Sequence, residues 1–250
     1  MRYLKSARRF RTLFLATALL FLATGIWPQN GNVALPAALS PAQIVERMQQ
    51  HNKKQAEGLE HYQSLRHYGV VYRGFFKTIT AEMDVEVEYN ASSGKSYRIV
   101  AQKGSKLLDE KVLKRAVDSE VEVSRNEAEA ALTEANYKFH LVGSEDLDKR
   151  PAYILEVEPI TPNKFLYKGK IWVDAADFAV AKIESQPSKN PSSWIGRTLI
   201  HHTNAKRHGF WLPEHNRSES KIRIGGTAVL TIDYGTYQIV PKSSHPETEP

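Results

Sequence analysis

The chain has 250 residues, 41% of them hydrophobic and 25% charged, with a formal net charge of +6 and no cysteine. That length and apolar content suit one large domain whose core can be stable without disulfides. The lack of cysteine excludes a thiol nucleophile, a thiolate metal site and a lipid attached through an amino-terminal cysteine.

The amino terminus reads as an export signal. Arg2, Lys5, Arg8, Arg9 and Arg11 precede the apolar run Thr12 to Trp27, and Ala23 and Gly25 have the spacing of a cleavage site. At about 1.5 Å per residue the run is short for a bilayer core of about 30 Å. A signal peptide over 1–25 is therefore expected, with an uncleaved anchor as the alternative. Cleavage after Ala34 or Ala38 also fits the small residues there. Five of the cations lie in this segment, so the remainder carries about +1. The sequence pI of 9.3 thus belongs to export, and no nucleic-acid partner is expected.

Residues 26–39 form a linker rich in Pro, Asn, Gly and Ala. Ser40, Pro41 and Gln43 then provide an N-cap, a first-turn proline and a capping-box partner. Ile44, Val45, Met48, Leu59 and Tyr62 mark the apolar side of a helix to about residue 62. From Leu65 the apolar period becomes two, and 68–77, 82–89 and 95–102 read as three strands of an antiparallel meander. In the second of these, Met83, Val85, Val87 and Tyr89 share one face, while Glu82, Asp84, Glu86 and Glu88 form a solvated row on the other. That acidic row also discourages edge-to-edge pairing.

A helical period returns over 105–120, with Leu108, Val112 and Ala116 on one face, and over 124–134, where Ser124 and Glu127 have capping-box spacing. Seven further strand-like segments separated by turn residues fill 136–239. Residues 40–240 therefore predict a mainly β (α+β) domain: a strongly curved antiparallel sheet or incomplete β-barrel of about 10–11 strands, with the helices as a lid on its concave face. Residues 241–250 are polar and read as a disordered tail.

Chemical motifs are sparse. His201, His202, His208 and His215 lie close together, but adjacent residues on a strand point to opposite faces, so no metal site is expected. Asp174 and Asp177 flank two alanines between strands and read as turn formers rather than an acid–base pair. No G-x-S-x-G or H-E-x-x-H motif is present, which disfavours an exported hydrolase. No cofactor is expected. Tyr68, Tyr72, Phe76, Trp172, Phe178, Trp194, Phe210 and Trp211 are each either core residues or lining for an apolar cavity.

The series "NYKFHLVGSE", "RPAYILEVEP", "GKIWVDAADFAVAKIE", "GFWLPEHNRSES" and "LTIDYGTYQ" resembles bacterial outer-membrane lipoprotein-sorting proteins, the LolA/LolB-like superfamily. The resemblance covers about residues 40–239. It implies an incomplete barrel closed by helices, in a non-enzymatic, monomeric periplasmic carrier that shelters acyl chains of lipidated proteins or lipids. An inner-membrane release complex and an outer-membrane receptor would be its partners. Related architecture also serves a periplasmic sensor that regulates a partner protein. The expected lipid-binding residues are Val71, Arg73, Phe75, Met83, Val85, Val87, Leu108, Val112 and Trp172. Arg73 is the candidate by pattern for the characteristic arginine of these carriers.

Overall fold

The computed structural model describes residues 39–242, except Pro191 and Ile224. The expected signal segment, nearly all of the linker and residues 243–250 lie outside the described residues. Helix α1 (Pro41–Gly58) begins with the expected capping box: Ser40 N–H donates to Gln43 Oε1 at 2.9 Å, and Gln43 N–H donates to Ser40 Oγ at 3.3 Å. It ends at Gly58, earlier than the periodicity suggests, because Leu59 onward is drawn into a sheet that pairs on both sides. Leu59 and Tyr62 are therefore strand residues rather than part of the helical face.

The strands are β1 (Leu59–Arg73), β2 (Thr78–Asn90), β3 (Gly94–Gly104), β4 (Tyr137–Leu147), β5 (Arg150–Pro159), β6 (Tyr167–Asp174), β7 (Val180–Pro187), β8 (Ile195–Arg207), β9 (Phe210–Ile222) and β10 (Thr227–Pro241). They form a single ten-stranded sheet in the order β3-β2-β1-β10-β9-β8-β7-β6-β5-β4. Every pairing is antiparallel, and the sheet is not closed into a barrel. The first and last strands pair from Leu59↔Pro241 to Arg73↔Thr227, so they lie side by side in the middle of the sheet. Residues 241 and 242 accordingly belong to the fold rather than to a tail: Lys242 N–H donates to Gly58 O at 2.9 Å.

This order leaves β3 and β4 as the two edges, and the segment joining them holds the remaining helices. It comprises α2 (Lys106–Leu108), a π-helical turn (Asp109–Leu113), α3 (Lys114–Arg125) and the short α4 (Glu127–Ala130). Gly104 permits the departure from β3. Its φ is +94°, and a Cβ there would lie 2.4 Å from Thr80 O. Ser124 does not open a helix as its spacing suggests. It lies within α3, and its hydroxyl donates to Val121 O at 2.8 Å.

The helices cover one face of the sheet, here the inner face, in two halves. Ile44, Val45 and Met48 of α1 pack with Tyr137, Tyr153, Leu155, Val157, Ile171 and Val173 of β4–β6. Leu108, Leu113 and Val117 pack with Tyr68, Val70, Met83, Val85, Val87 and Ile232 of β1, β2 and β10. The end of α1 is tied to β9 by a reciprocal amide pair: Gln55 Nε2 donates to Trp211 O at 2.9 Å, and Trp211 N–H donates to Gln55 Oε1 at 2.7 Å. Among the described residues no helix is long and apolar enough to cross a membrane.

Met48 has 0% exposure in the first cluster and Met83 1% in the second. Truncating either to alanine removes buried methylenes and leaves a cavity, so each variant should lose about 2–5 kcal/mol. Urea unfolding followed by circular dichroism is expected to show both losses in one shared transition. Two separate transitions would mean that the halves unfold independently.

Candidate functional site

A polar contact lies beneath α3, beside the second apolar cluster. On β1 the even-numbered residues face inward, as the cross-strand pairs Arg66↔Val85, Tyr68↔Met83 and Val70↔Ala81 require. This row places Arg66, only 1% exposed, among Tyr62, Ser64, Tyr68 and Tyr234. Its guanidinium hydrogen-bonds Glu120 of α3, lies over the Tyr234 ring at 4.7 Å and reaches Ser64 Oγ at 3.4 Å and the Tyr62 hydroxyl at 3.5 Å. The second oxygen of Glu120 accepts from the Tyr68 hydroxyl at 2.9 Å. Glu120 thus binds two groups on the floor of the sheet at once.

Electrostatics follow from that geometry. Burial alone would depress the Arg66 pKa, but Glu120 and the surrounding tyrosines outweigh it, and the net direction is upward. Burial, reinforced by the Glu120 carboxylate, raises the Tyr68 hydroxyl well above the ordinary tyrosine range. Burial likewise raises Tyr234. The site therefore pairs Arg66, held protonated, with Glu120, and keeps the Tyr68 and Tyr234 hydroxyls neutral beside them.

The π-helical turn sets which lid residues meet the sheet. An inserted residue widens one turn to i→i+5, so Leu108 and Leu113 come to the same side, followed by Val117 and Glu120. The expected Leu108, Val112, Ala116 row is shifted accordingly. Leu108 is buried as expected, while Val112 and Ala116 pack only partly against the cluster.

Next to this contact the inner face of β7–β9 is polar. Thr198 and Ser220 hydroxyls pair at 2.8 Å, and Ser185 Oγ is buried without a partner among the described residues. His202 Nε2 pairs with Asn204 Oδ1 at 3.0 Å, while Asn216 Nδ2 lies 3.3 Å from His202 Nδ1. These contacts suit a neutral ring with its proton on Nε2. Burial lowers the His202 pKa, partly offset by the Asn204 hydrogen bond.

The expected lipid-binding residues divide between the two faces. Met83, Val85, Val87 and Leu108 line the second cluster on the inner face, and Val112 borders it. Val71, Arg73 and Phe75 do not join them. Val71 and Arg73 are odd-numbered and face outward, and Phe75 sits in the β1–β2 turn with 80% exposure. Trp172 is also on the outer side, because Ile171 and Val173 take the inner positions. Its Nε1 donates to Glu145 at 2.7 Å and Lys182 covers its ring at 4.2 Å.

Sequence patterning does not mark Arg66, Glu120 and Tyr68 as one site. Alternation between Tyr68, Val70 and Tyr72 marks the correct face, but a charged residue in that row reads as surface. Asp174 and Asp177 form the expected turn: Asp174 Oδ1 accepts from the backbone of Ala176 and Asp177, and Arg150 clamps both carboxylates. His201 and His202 point to opposite faces. Among the described residues no group of three or more His, Cys, Asp or Glu could hold a metal.

No protein-family model matches the chain, and no curated protein matches it significantly. Solved structures do. A DUF1329 family protein from Desulfovibrio piger aligns over 83% of this chain and 96% of its own, at 12% identity and a TM-score of 0.43. A putative outer membrane lipoprotein-sorting protein domain from Vibrio parahaemolyticus covers the same shares at 11% identity and a TM-score of 0.43. A LolA superfamily protein from Nitrosomonas europaea aligns over 81% of this chain and 94% of its own, at 13% identity and a TM-score of 0.37.

Two pH effects follow from the site. Tyr68 has a raised folded pKa, so its contribution to stability is complete below the unfolded value of about 10 and is lost as pH rises through the folded value. The Tyr68→Phe variant should show a shallower alkaline loss of stability. His202 has a lowered folded pKa, so the unfolded chain binds more protons and stability falls as pH drops below about 6.5. In His202→Asn that part of the acid limb should be absent, as read by urea midpoints across pH.

Proposed function

We propose that this chain is a periplasmic carrier that takes up acyl chains of lipidated proteins or lipids between its sheet and helices and delivers them toward the outer membrane. The observation that carries the reading is the Arg66–Glu120–Tyr68 contact set beside an apolar inner face. Movement of α2–α3 away from the sheet would uncover Tyr68, Val70, Met83, Val85, Val87 and Ile232, an apolar floor suited to hydrocarbon.

The energies are compatible with exchange. Each CH2 group of an acyl chain gains about 0.8 kcal/mol on burial, so one chain can replace the contacts given up by Leu108, Leu113 and Val117. A charged pair at the centre makes closure specific without making it strong, because the desolvation cost of burying the ions offsets much of their attraction. Release then needs only a partner that stabilises the displaced helix. The role is binding rather than catalysis, with an inner-membrane release complex and an outer-membrane receptor as the partners, and removal of residues 1–25 on export.

The test is binding of a fluorescent fatty acid or lipopeptide, together with native mass spectrometry of the protein recovered from periplasm. Leu108→Asp should weaken probe binding by about tenfold or more, in line with the value of a buried leucine, while the sheet's circular dichroism is kept. Arg66→Met, which frees Glu120, should speed probe entry. A wild-type chain that binds the probe no better than a lipid-free control protein defeats the carrier reading. A stable protein complex without lipid would then favour a regulatory sensor.

A further inference from the structure

At one end of the sheet β1 meets β2, β7 meets β8 and β9 meets β10. The three turns are tied together. Tyr72 hydroxyl donates to Gly225 O at 2.9 Å, and Arg223 N–H donates to Trp194 O at 2.9 Å. The Phe75 ring lies across the backbone of Gly225, where an added Cβ would stand 2.0 Å from the ring. Only glycine, here at φ +116°, accommodates that approach.

This surface presents large apolar side chains to water. Phe75 is 80% exposed, Phe76 102% and Trp194 62%. Around them the segments 73–78, 188–197 and 221–227 contain no acidic residue, and they carry Arg73, Lys77 and Arg223 among their cations. None of these three forms an ion pair among the described residues. The opposite end of the sheet differs: its turns hold Asp148, Asp174 and Asp177, and Asp174 and Asp177 are paired to Arg150.

Aromatic rings beside unpaired cations, with no acid in the three segments, match the chemistry of an anionic bilayer surface. Rings settle at the headgroup level while Lys and Arg attract the phosphates. A protein partner would more often bring acidic side chains in fixed register with matching pockets, and these three turns offer flat, protruding rings instead. We propose that this end of the sheet docks on anionic lipid bilayers, with Phe76 and Trp194 entering the headgroup region and Arg73, Lys77 and Arg223 holding phosphates. The surface is separate from the inner face, so the proposal stands whether or not that face binds lipid.

The cysteine-free chain allows the test to be local, which matters because residues 12–27 could themselves touch membranes. Phe76→Cys is labelled with an environment-sensitive nitrobenzoxadiazole in the full chain, and Ser93→Cys in the β2–β3 turn at the opposite end is the control. Vesicles of phosphatidylcholine alone are compared with vesicles containing added phosphatidylglycerol. The label at 76 should shift to the blue and brighten with the anionic vesicles, reversibly with salt, while the label at 93 does not. Adding Arg73→Gln, Lys77→Gln and Arg223→Gln should raise the lipid concentration needed by about a hundredfold, from about fivefold per cation. The proposal is overturned if the label at 76 ignores anionic vesicles, if both labels respond alike, if the triple substitution changes nothing, or if only a protein component shields position 76. Unchanged thermal unfolding of the labelled and substituted chains excludes misfolding as the cause.

Discussion

Pairing between the first and last strands is the constraint on which the architecture depends. β1 and β10 are each fifteen residues long and stay paired from Leu59↔Pro241 to Arg73↔Thr227, with local register shifts at Leu59/His61 and Ser64/Arg66. Once they sit side by side, the remaining strands can only be added outward, β2 and β3 on one flank and β9 to β4 on the other. The edges are then β3 and β4, which are consecutive strands in sequence. The segment between them has to return across the sheet, and it does so as helices on the inner face. A lid is thus built into the strand order.

The inner face combines two kinds of attachment. Most of the stabilisation between helices and sheet is apolar, from residues such as Met48, Leu113 and Val85 that have essentially no exposure. Arg66 is different in kind. A buried guanidinium must be paired or it destabilises the fold, and Glu120 is the carboxylate that meets it. Displacing α3 therefore separates a pair whose members are each costly alone in an apolar setting. Tyr62, Ser64, Tyr68 and Tyr234 temper that cost by giving Arg66 and Glu120 polar neighbours on the sheet side. The contact favours this seating of the helix, because Glu120 meets both Arg66 and Tyr68 in it.

The outer face uses charge instead. Glu82, Glu86 and Glu88 meet Lys103, Arg98 and His61 from neighbouring strands, and Asp84 meets His67. His215 and Asp233 continue the pattern on β9 and β10. Such exposed pairs contribute little stability individually. Their larger effect is to keep a wide sheet face soluble and unattractive to a second sheet. An open groove of about 540 Å3 runs among Gln63, Leu65, His67, Asp84 and Asp233 on this side.

Local patterning alone determined the capping box at Ser40, the strand alternation of Met83, Val85 and Val87, the Asp174 turn and the broad class of an antiparallel sheet with few helices. These depend on neighbours within a few residues, or on a two-residue period that every strand must obey. Register and partner choice are not local. Which face of β1 turns inward is set by its pairing with β2 and β10, so Val71 and Arg73 fall outside while Arg66 falls inside. The end of α1 at Gly58 is likewise imposed by strands that bond Leu59 onward from both sides. The shift from Val112 to Leu113 comes from a single widened helical turn that no side-chain period announces. Arg66 itself could not be recognised from sequence, since a buried cation is stable only beside its carboxylate, and Glu120 lies 54 residues away on an element that the strand order alone brings back across the sheet.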